Sequence, residues 1–175
     1  MATQPVGREA GSQRPVAQLP QAGSVAAHIL RLAASEQEPE LVSHLRLQKL
    51  LYYVQGWSLG LRGRPLFRDR IEAWTDGPVV PAVYRATLAC KHQAIDAGSF
   101  GAADPLSEED QVLVGQVWTT YRPYSALSLR DMTHREPPWR DARADVADGA
   151  PSNREIARDA LRSYFASLAA KLPEQ

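Results

Sequence analysis

One stretch of the chain, LQKLLYYVQGWSLGL at residues 47–61, constrains the fold more than any other. Its apolar side chains recur at steps of three and four residues, which places them on one face of an α-helix. The predicted buried face consists of Leu47, Leu50, Leu51, Val54, Ser58 and Leu61. Gly56 interrupts this run, and a glycine inside a helix costs about 1 kcal/mol relative to alanine. We therefore expect another element to pass close to the helix at Gly56.

Capping and turn residues divide the rest of the chain into further helices and one short strand. Four serines are candidate helix N-caps: Ser24, Ser107, Ser125 and Ser152. An acidic residue three positions after Ser107 and after Ser152 completes a capping-box pattern. Alternation over residues 71–74 before an Asp-Gly-Pro turn predicts a strand. Pro78 and Pro81 suit the first turn of the helix that follows.

These elements predict a mainly α fold, a single compact multi-helix domain of five to seven helices with one short β element. Residues 1–23 are rich in Gln, Pro, Ala and Gly and contain almost no large apolar side chains. Such a segment cannot bury enough surface to offset the entropy lost on ordering. We therefore predict a disordered N-terminal tail over residues 1–23 and a helical domain over residues 24–172.

Charge and composition narrow the classes of partner. Twenty basic residues balance twenty acidic ones, for a net charge of +0, so overall charge favours neither nucleic acid nor an anionic membrane. The single cysteine, Cys90, cannot form a disulfide within the chain. The N-terminal region has no continuous apolar run typical of a secretory signal, and no segment is long and apolar enough for a membrane span. The expected location is the cytoplasm.

The motifs of common catalytic sites are missing from the sequence. None of the four histidines has a familiar zinc-ligand spacing, and the glycines form neither a phosphate loop nor a dinucleotide fingerprint. His134 lies near Asp131 and Glu136 and is a candidate general base for a small hydrolase. The alternative is a histidine that caps the C-terminus of a helix, where the dipole favours it. We expect no cofactor.

An arginine-rich and aromatic segment is the other candidate site. Arg62, Arg64, Arg68 and Arg70 follow the aromatic residues of the long helix, which would suit a nucleic-acid regulator. Acidic side chains interrupt the segment, so a solvated face is the favoured interpretation. Tyr52 and Tyr53 are about 100° apart on a helix and are not expected to point the same way. One of the two is therefore a candidate for a partner interface.

Two longer motifs, taken in order, carry a family resemblance. The segment LQKLLYYVQGWSLGLRGRPLF followed by IEAWTDGPVVPAVY, and the later YSALSLRDMTHREPPWRDAR, resemble the two signatures of the Panacea domain, the SocA-like antitoxin family of phage-associated proteins. The resemblance covers about residues 24–172. It implies a helical domain without catalytic residues, not an enzyme, that neutralises a protein toxin encoded beside it. Members do so by direct binding, and one as an adaptor that hands its toxin to the ClpXP protease.

On this interpretation the exposed polar and aromatic residues of the two motifs form the partner surface. Nine residues are the candidates for toxin binding: Tyr52, Tyr53, Trp57, Arg62, Arg64, Arg68, Asp76, Tyr84 and His134. The patch as a whole is expected to serve chiefly as core and turn scaffold, with only its exposed members facing a partner.

Overall fold

The computed structural model describes residues 19–90, 95–101 and 104–172. Over these residues the mainly helical prediction is confirmed, with seven α-helices and one two-stranded sheet. The helices are α1 (Ala22–Ala34), α2 (His44–Arg62), α3 (Pro81–Ala86), α4 (Glu108–Tyr121), α5 (Ala126–Arg135), α6 (Pro137–Ala142) and α7 (Arg158–Ala169), and the strands are β1 (Glu72–Trp74) and β2 (Gly77–Val79). Within the described ranges, no helix is both long and apolar enough to cross a membrane.

Helix α2 is the central element of the fold. It begins at the N-cap Ser43, whose hydroxyl accepts from the Arg46 N–H, and ends at Gly63 in the left-handed conformation with φ 67°. The helix is buried on almost every side, because α1, α4, α5, α7 and the hairpin all pack against it. The sequence predicted one buried apolar face, but the buried surface of α2 is wider than that face. Gln48 and Lys49 are buried, whereas Leu61, assigned to the buried face, is half-exposed.

Two glycines of α2 allow α7 to pack closely against it. A Cβ at Gly56 would overlap the ring of Phe165, and a Cβ at Gly60 would lie 2.6 Å from the backbone carbon of Phe165 and 2.8 Å from the Ala166 nitrogen. The predicted close approach at Gly56 is thus confirmed. Phe165 fills the space and is itself fully buried.

The strand element is a hairpin whose first strand is paired on both sides. In the antiparallel pair β1–β2, Glu72 lies opposite Val79, and Gly77 takes φ 97° in the turn. On the other edge of β1, the Ala73 N–H donates to the Arg154 carbonyl at 2.8 Å. Pro81 begins α3 as predicted, but Pro78 lies in β2 rather than in the helix.

Several helix starts correct the sequence prediction. Ser107 and Ser125 are N-caps as expected, each accepting from an N–H three residues on. Ser24 is not a cap, because α1 begins at Ala22, whose N–H donates to the Asp69 carboxylate at 2.7 Å. Ser152 is not a cap either, because the chain stays extended beside β1 until α7 begins at Arg158.

The described part of the chain begins at residue 19, inside the segment predicted as a tail. Leu19 and Ala22, assigned to the tail, are buried. Residues 1–18 lie outside the described residues, so a disordered tail there stays a prediction.

The glycine contacts predict opposite effects for two alanine substitutions. Gly60→Ala should lower the free energy of unfolding by about 2 kcal/mol, because the added methyl group meets the backbone of α7 and the packed helices have to move apart. Gly115→Ala, in α4 with no atom near the new Cβ, should raise it by up to about 1 kcal/mol through helix propensity. Urea unfolding of both variants checks this. Equal effects of the two substitutions would contradict close packing at Gly60.

Candidate functional site

A cavity of about 650 Å³ opens between the first half of α2, the hairpin, α3 and residues 151–153. This volume is in the range of small-molecule and peptide sites. Its walls are largely apolar or aromatic and come from Leu45, Trp74, Val79, Tyr84 and Pro151. Its polar lining residues are His44, Gln48, Lys49, Thr75, Asp76, Ser152 and Asn153.

The aromatic wall is held in place by contacts on several sides. The ring of Tyr84 meets Trp74 edge-to-face with centroids 4.9 Å apart. The Trp74 indole N–H donates to Glu72 at 2.7 Å, and the Trp74 carbonyl accepts from the indole of Trp139 at 3.0 Å. Tyr84 also lies 6.2 Å from the ring of His44. The wall is therefore already formed without a ligand, and a preformed site lowers the entropy cost of binding.

Two neighbouring side chains of α2 satisfy the outer edge of β2. Gln48 Oε1 accepts from the Val80 N–H at 2.8 Å, and Lys49 Nζ donates to the Pro78 carbonyl at 3.0 Å. Both side chains also line the cavity. Among the described residues, Gln48 Nε2 has no hydrogen-bond partner although it is buried.

Lys49 is fully buried, and this burial is the main determinant of its charge state. Desolvation lowers the pKa of Lys49 to about 7, while the nearby Asp76 raises it and Arg130 lowers it further. In the part of the chain that is described, no carboxylate forms an ion pair with Lys49. The carboxylate of Asp76 is instead 3.1 Å from Arg130.

A second buried network joins α2 to the junction between α5 and α6. The hydroxyls of Tyr52 and Tyr53 donate to the two carboxylate oxygens of Glu136, at 2.7 Å and 3.0 Å. The two tyrosines were expected to point in different directions. That expectation is wrong for their hydroxyl groups, because both reach the same carboxylate. Desolvation raises the pKa of Glu136 to about 7, and the two tyrosine hydrogen bonds oppose it.

The predicted partner residues are dispersed. Tyr52 and Tyr53 are core residues with hardly any exposed surface, so they offer nothing for a partner to contact. The half-buried Trp57 donates to the Tyr121 hydroxyl at 2.9 Å. Of the nine candidates, Asp76 and Tyr84 are the two that line the cavity.

The arginine segment is largely neutralised by α4. Arg62 and Arg64 both bind the Asp110 carboxylate, at 2.9 Å and 3.1 Å. Arg70 pairs with Glu72 at 2.6 Å, and Arg68 remains exposed. The expected solvated face therefore holds for the exposed Arg68 and Arg70, whereas Arg62 and Arg64 form largely buried ion pairs with Asp110.

His134 is not arranged as a general base. Its ring stacks on Trp139 with centroids 4.0 Å apart, and burial lowers the pKa of His134. Asp131 pairs with Arg130, and Glu136 accepts from the tyrosines. Within the described ranges, neither carboxylate is a hydrogen-bond partner of His134, and no cluster of His, Cys, Asp and Glu could hold a metal ion.

Sequence reasoning missed the polar residues that define the site. Gln48 and Lys49 were overlooked because they fall between the leucines of a stripe that predicts one polar and one apolar face. Glu136 was considered only as a partner of His134. Local spacing in either segment gives no signal that these three polar side chains are buried.

Comparison with known proteins gives two matches. Residues 47–140 match the family model described as "Antitoxin SocA-like, Panacea domain", a range that includes most of α2, the hairpin, α3 and the Glu136 junction. Antitoxin SocA of Caulobacter vibrioides (strain NA1000 / CB15N) is 47% identical over 78 residues, which is 43% of this chain and 40% of that protein. The alignment thus spans about two fifths of the relative's length. No solved structure matches the chain.

The raised pKa of Glu136 predicts a pH dependence of stability. Between the ordinary pKa of 4.5 and about 7, the folded chain keeps a proton that the unfolded chain has lost. The contribution of Glu136 is therefore fully present below pH 4.5 and should fall by about 3 kcal/mol as the pH rises through 7. Urea unfolding of the parent and of Glu136→Gln, which does not titrate, isolates this contribution. A stability difference between the two that is constant with pH would contradict it.

Proposed function

Because the chain belongs to the SocA-like, Panacea-domain antitoxin family, we propose that it is an antitoxin that binds and neutralises a protein toxin. The observation that carries this proposal is the 47% identity to Antitoxin SocA over 78 residues. The family model covers residues 47–140, which include most of α2, the hairpin and α3. A binding role also agrees with the site, since a preformed aromatic cavity suits recognition.

We place toxin contact at the mouth of the cavity. Asp76 is strongly exposed in the hairpin turn, and Tyr84 and Leu45 are partly exposed on the flanking helices. A tyrosine with an apolar neighbour and a rim charge is a typical composition for a protein interface. Of the nine sequence candidates, Asp76 and Tyr84 carry this proposal.

Neutralisation in the cytoplasm proceeds by one of two routes. A stoichiometric inhibitor protects a cell only when its amount matches that of the toxin. An adaptor for the ClpXP protease protects below that ratio, but only while the protease is present. Toxin half-life in cells with and without the protease separates the two routes.

The proposed role needs no catalysis. We expect His134→Ala to fold, to bind the toxin and to protect cells, because His134 contributes a stacked ring rather than a proton-transfer site. Removing a general base would instead cost about 10²–10⁴ in rate. Survival of cells that express the toxin with the variant checks this. A folded variant that binds toxin yet fails to protect would favour the hydrolase.

Matched substitutions test the contact surface. Tyr84→Ala and Asp76→Arg should weaken toxin binding about tenfold or more, because one removes an aromatic anchor and the other reverses a rim charge. Tyr124→Ala and Asp131→Arg are the controls, being an exposed tyrosine and an Arg130-paired aspartate that do not line the cavity. Titration with the protein encoded by the neighbouring gene gives the affinities. If the controls weaken binding as much as the test variants, the surface lies elsewhere.

A further inference from the structure

Helix α2 contains two buried glutamines that differ in one respect. Gln55 uses its whole amide: Oε1 accepts from the N–H groups of Leu66 and Phe67, and Nε2 donates to the Phe67 carbonyl at 2.9 Å. Gln48 is equally buried, with 2% of its surface exposed, but uses only Oε1. Buried polar groups without a partner are rare in folded proteins, so the free Nε2 of Gln48 needs an explanation.

The residue next to Gln48 is in a similar situation. Lys49 has three N–H donors, and among the described residues the Pro78 carbonyl is its one hydrogen-bond acceptor. A buried ammonium group without a counter-ion is strongly destabilised. Gln48 and Lys49 line the same cavity, so an unused amide donor and an uncompensated cation border one space.

The remaining walls of the cavity indicate what kind of molecule could carry the anionic group. Leu45, Val79, Trp74 and Tyr84 offer apolar and aromatic surface. One buried cation can balance one negative charge, and the Asp76 carboxylate at the rim disfavours a second. A phosphate dianion therefore fits poorly, whereas a carboxylate on an apolar body fits both the donors and the walls.

We propose that this cavity binds a carboxylate carried on an apolar body, with Gln48 Nε2 and Lys49 Nζ donating to the carboxylate oxygens and Trp74 and Tyr84 packing against the apolar part. The C-terminal residue of a peptide and a small free organic acid share this chemistry. The carboxylate site shares Tyr84 with the proposed toxin contact, but its preference for acid over amide is measured without toxin, so the two proposals can fail separately.

The charged and titratable groups that face Lys49 are compatible with an anion. Asp76 comes from the hairpin turn, Arg130 and His134 from α5, and His44 from α2 itself. Arg130 is cationic, and the one carboxylate among these groups, Asp76, is already paired with it. A bound carboxylate would favour the charged form of Lys49 and raise its pKa. Binding near neutral pH should therefore take up protons.

Calorimetric titration of the full chain at neutral pH tests the proposal with two pairs of probes. The first pair is phenylacetate and phenylacetamide; the second is the peptide acetyl-Ala-Ala-Phe with a free or an amidated C-terminus. The acid of at least one pair should bind about tenfold or more tightly than its amide, since a charged hydrogen bond is lost in the amide. The pair that shows this preference identifies the source, a peptide end or a free acid.

Two variants separate the site from unspecific binding. Gln48→Glu keeps the acceptor for the Val80 N–H but replaces the Nε2 donor by a negative charge, so the folded variant should lose about tenfold or more in affinity for the acid. Lys49→Met should bind acid and amide alike. Asp131→Asn, outside the cavity, is the control and should bind as the parent does.

Three results would overturn the proposal. They are equal binding of acid and amide by the parent, no binding of either acid at millimolar concentration, or acid binding by folded Gln48→Glu that matches the parent.

Discussion

The Glu136 carboxylate, buried and held by the hydroxyls of Tyr52 and Tyr53, is the interaction on which the rest of the structure depends. Glu136 is both the C-cap of α5 and the N-cap of α6. The two hydrogen bonds therefore fix both helices against α2. Removing one partner would leave a buried polar group unpaired, which costs more than the hydrogen bond contributes. The Glu136 carboxylate thus positions the segment that contains α5 and α6 against the long helix α2.

Hydrogen bonds connect the junction between α5 and α6 to the hairpin that lines the cavity. Trp139 in α6 donates to the Trp74 carbonyl, and Arg143, just after α6, donates to the Ala73 carbonyl at 2.8 Å. Both contacts hold β1 from one side while Gln48 and Lys49 hold β2 from the other. The hairpin is too short to be stable alone, so its shape depends on these side chains. The cavity walls are therefore held in place by hydrogen bonds from both sides of the hairpin.

Features that depend on neighbouring residues could be predicted from the sequence, and those that depend on distant ones could not. The helix over 47–61, the caps Ser107 and Ser125 and the close approach at Gly56 follow from local spacing. The pairing of Tyr52 with Glu136 joins residues 84 positions apart, and no periodicity in either segment reports it. All-round burial of α2 likewise depends on how many elements surround it, so the polar residues Gln48 and Lys49 could not be assigned to the site. For the same reason, Asp76 and Tyr84 could be selected as candidates but not separated from the buried tyrosines.

The central claim is that the face formed by α2, the hairpin and α3 is the binding face of this domain. Amide hydrogen exchange of the chain alone and with the toxin encoded beside it tests this most directly, because it reports every segment at once. The account predicts added protection over residues 44–49, 73–85 and 151–153 and unchanged exchange in α4. Protection confined to the Arg62–Asp110 side of the molecule, with the cavity segments unchanged, would contradict it.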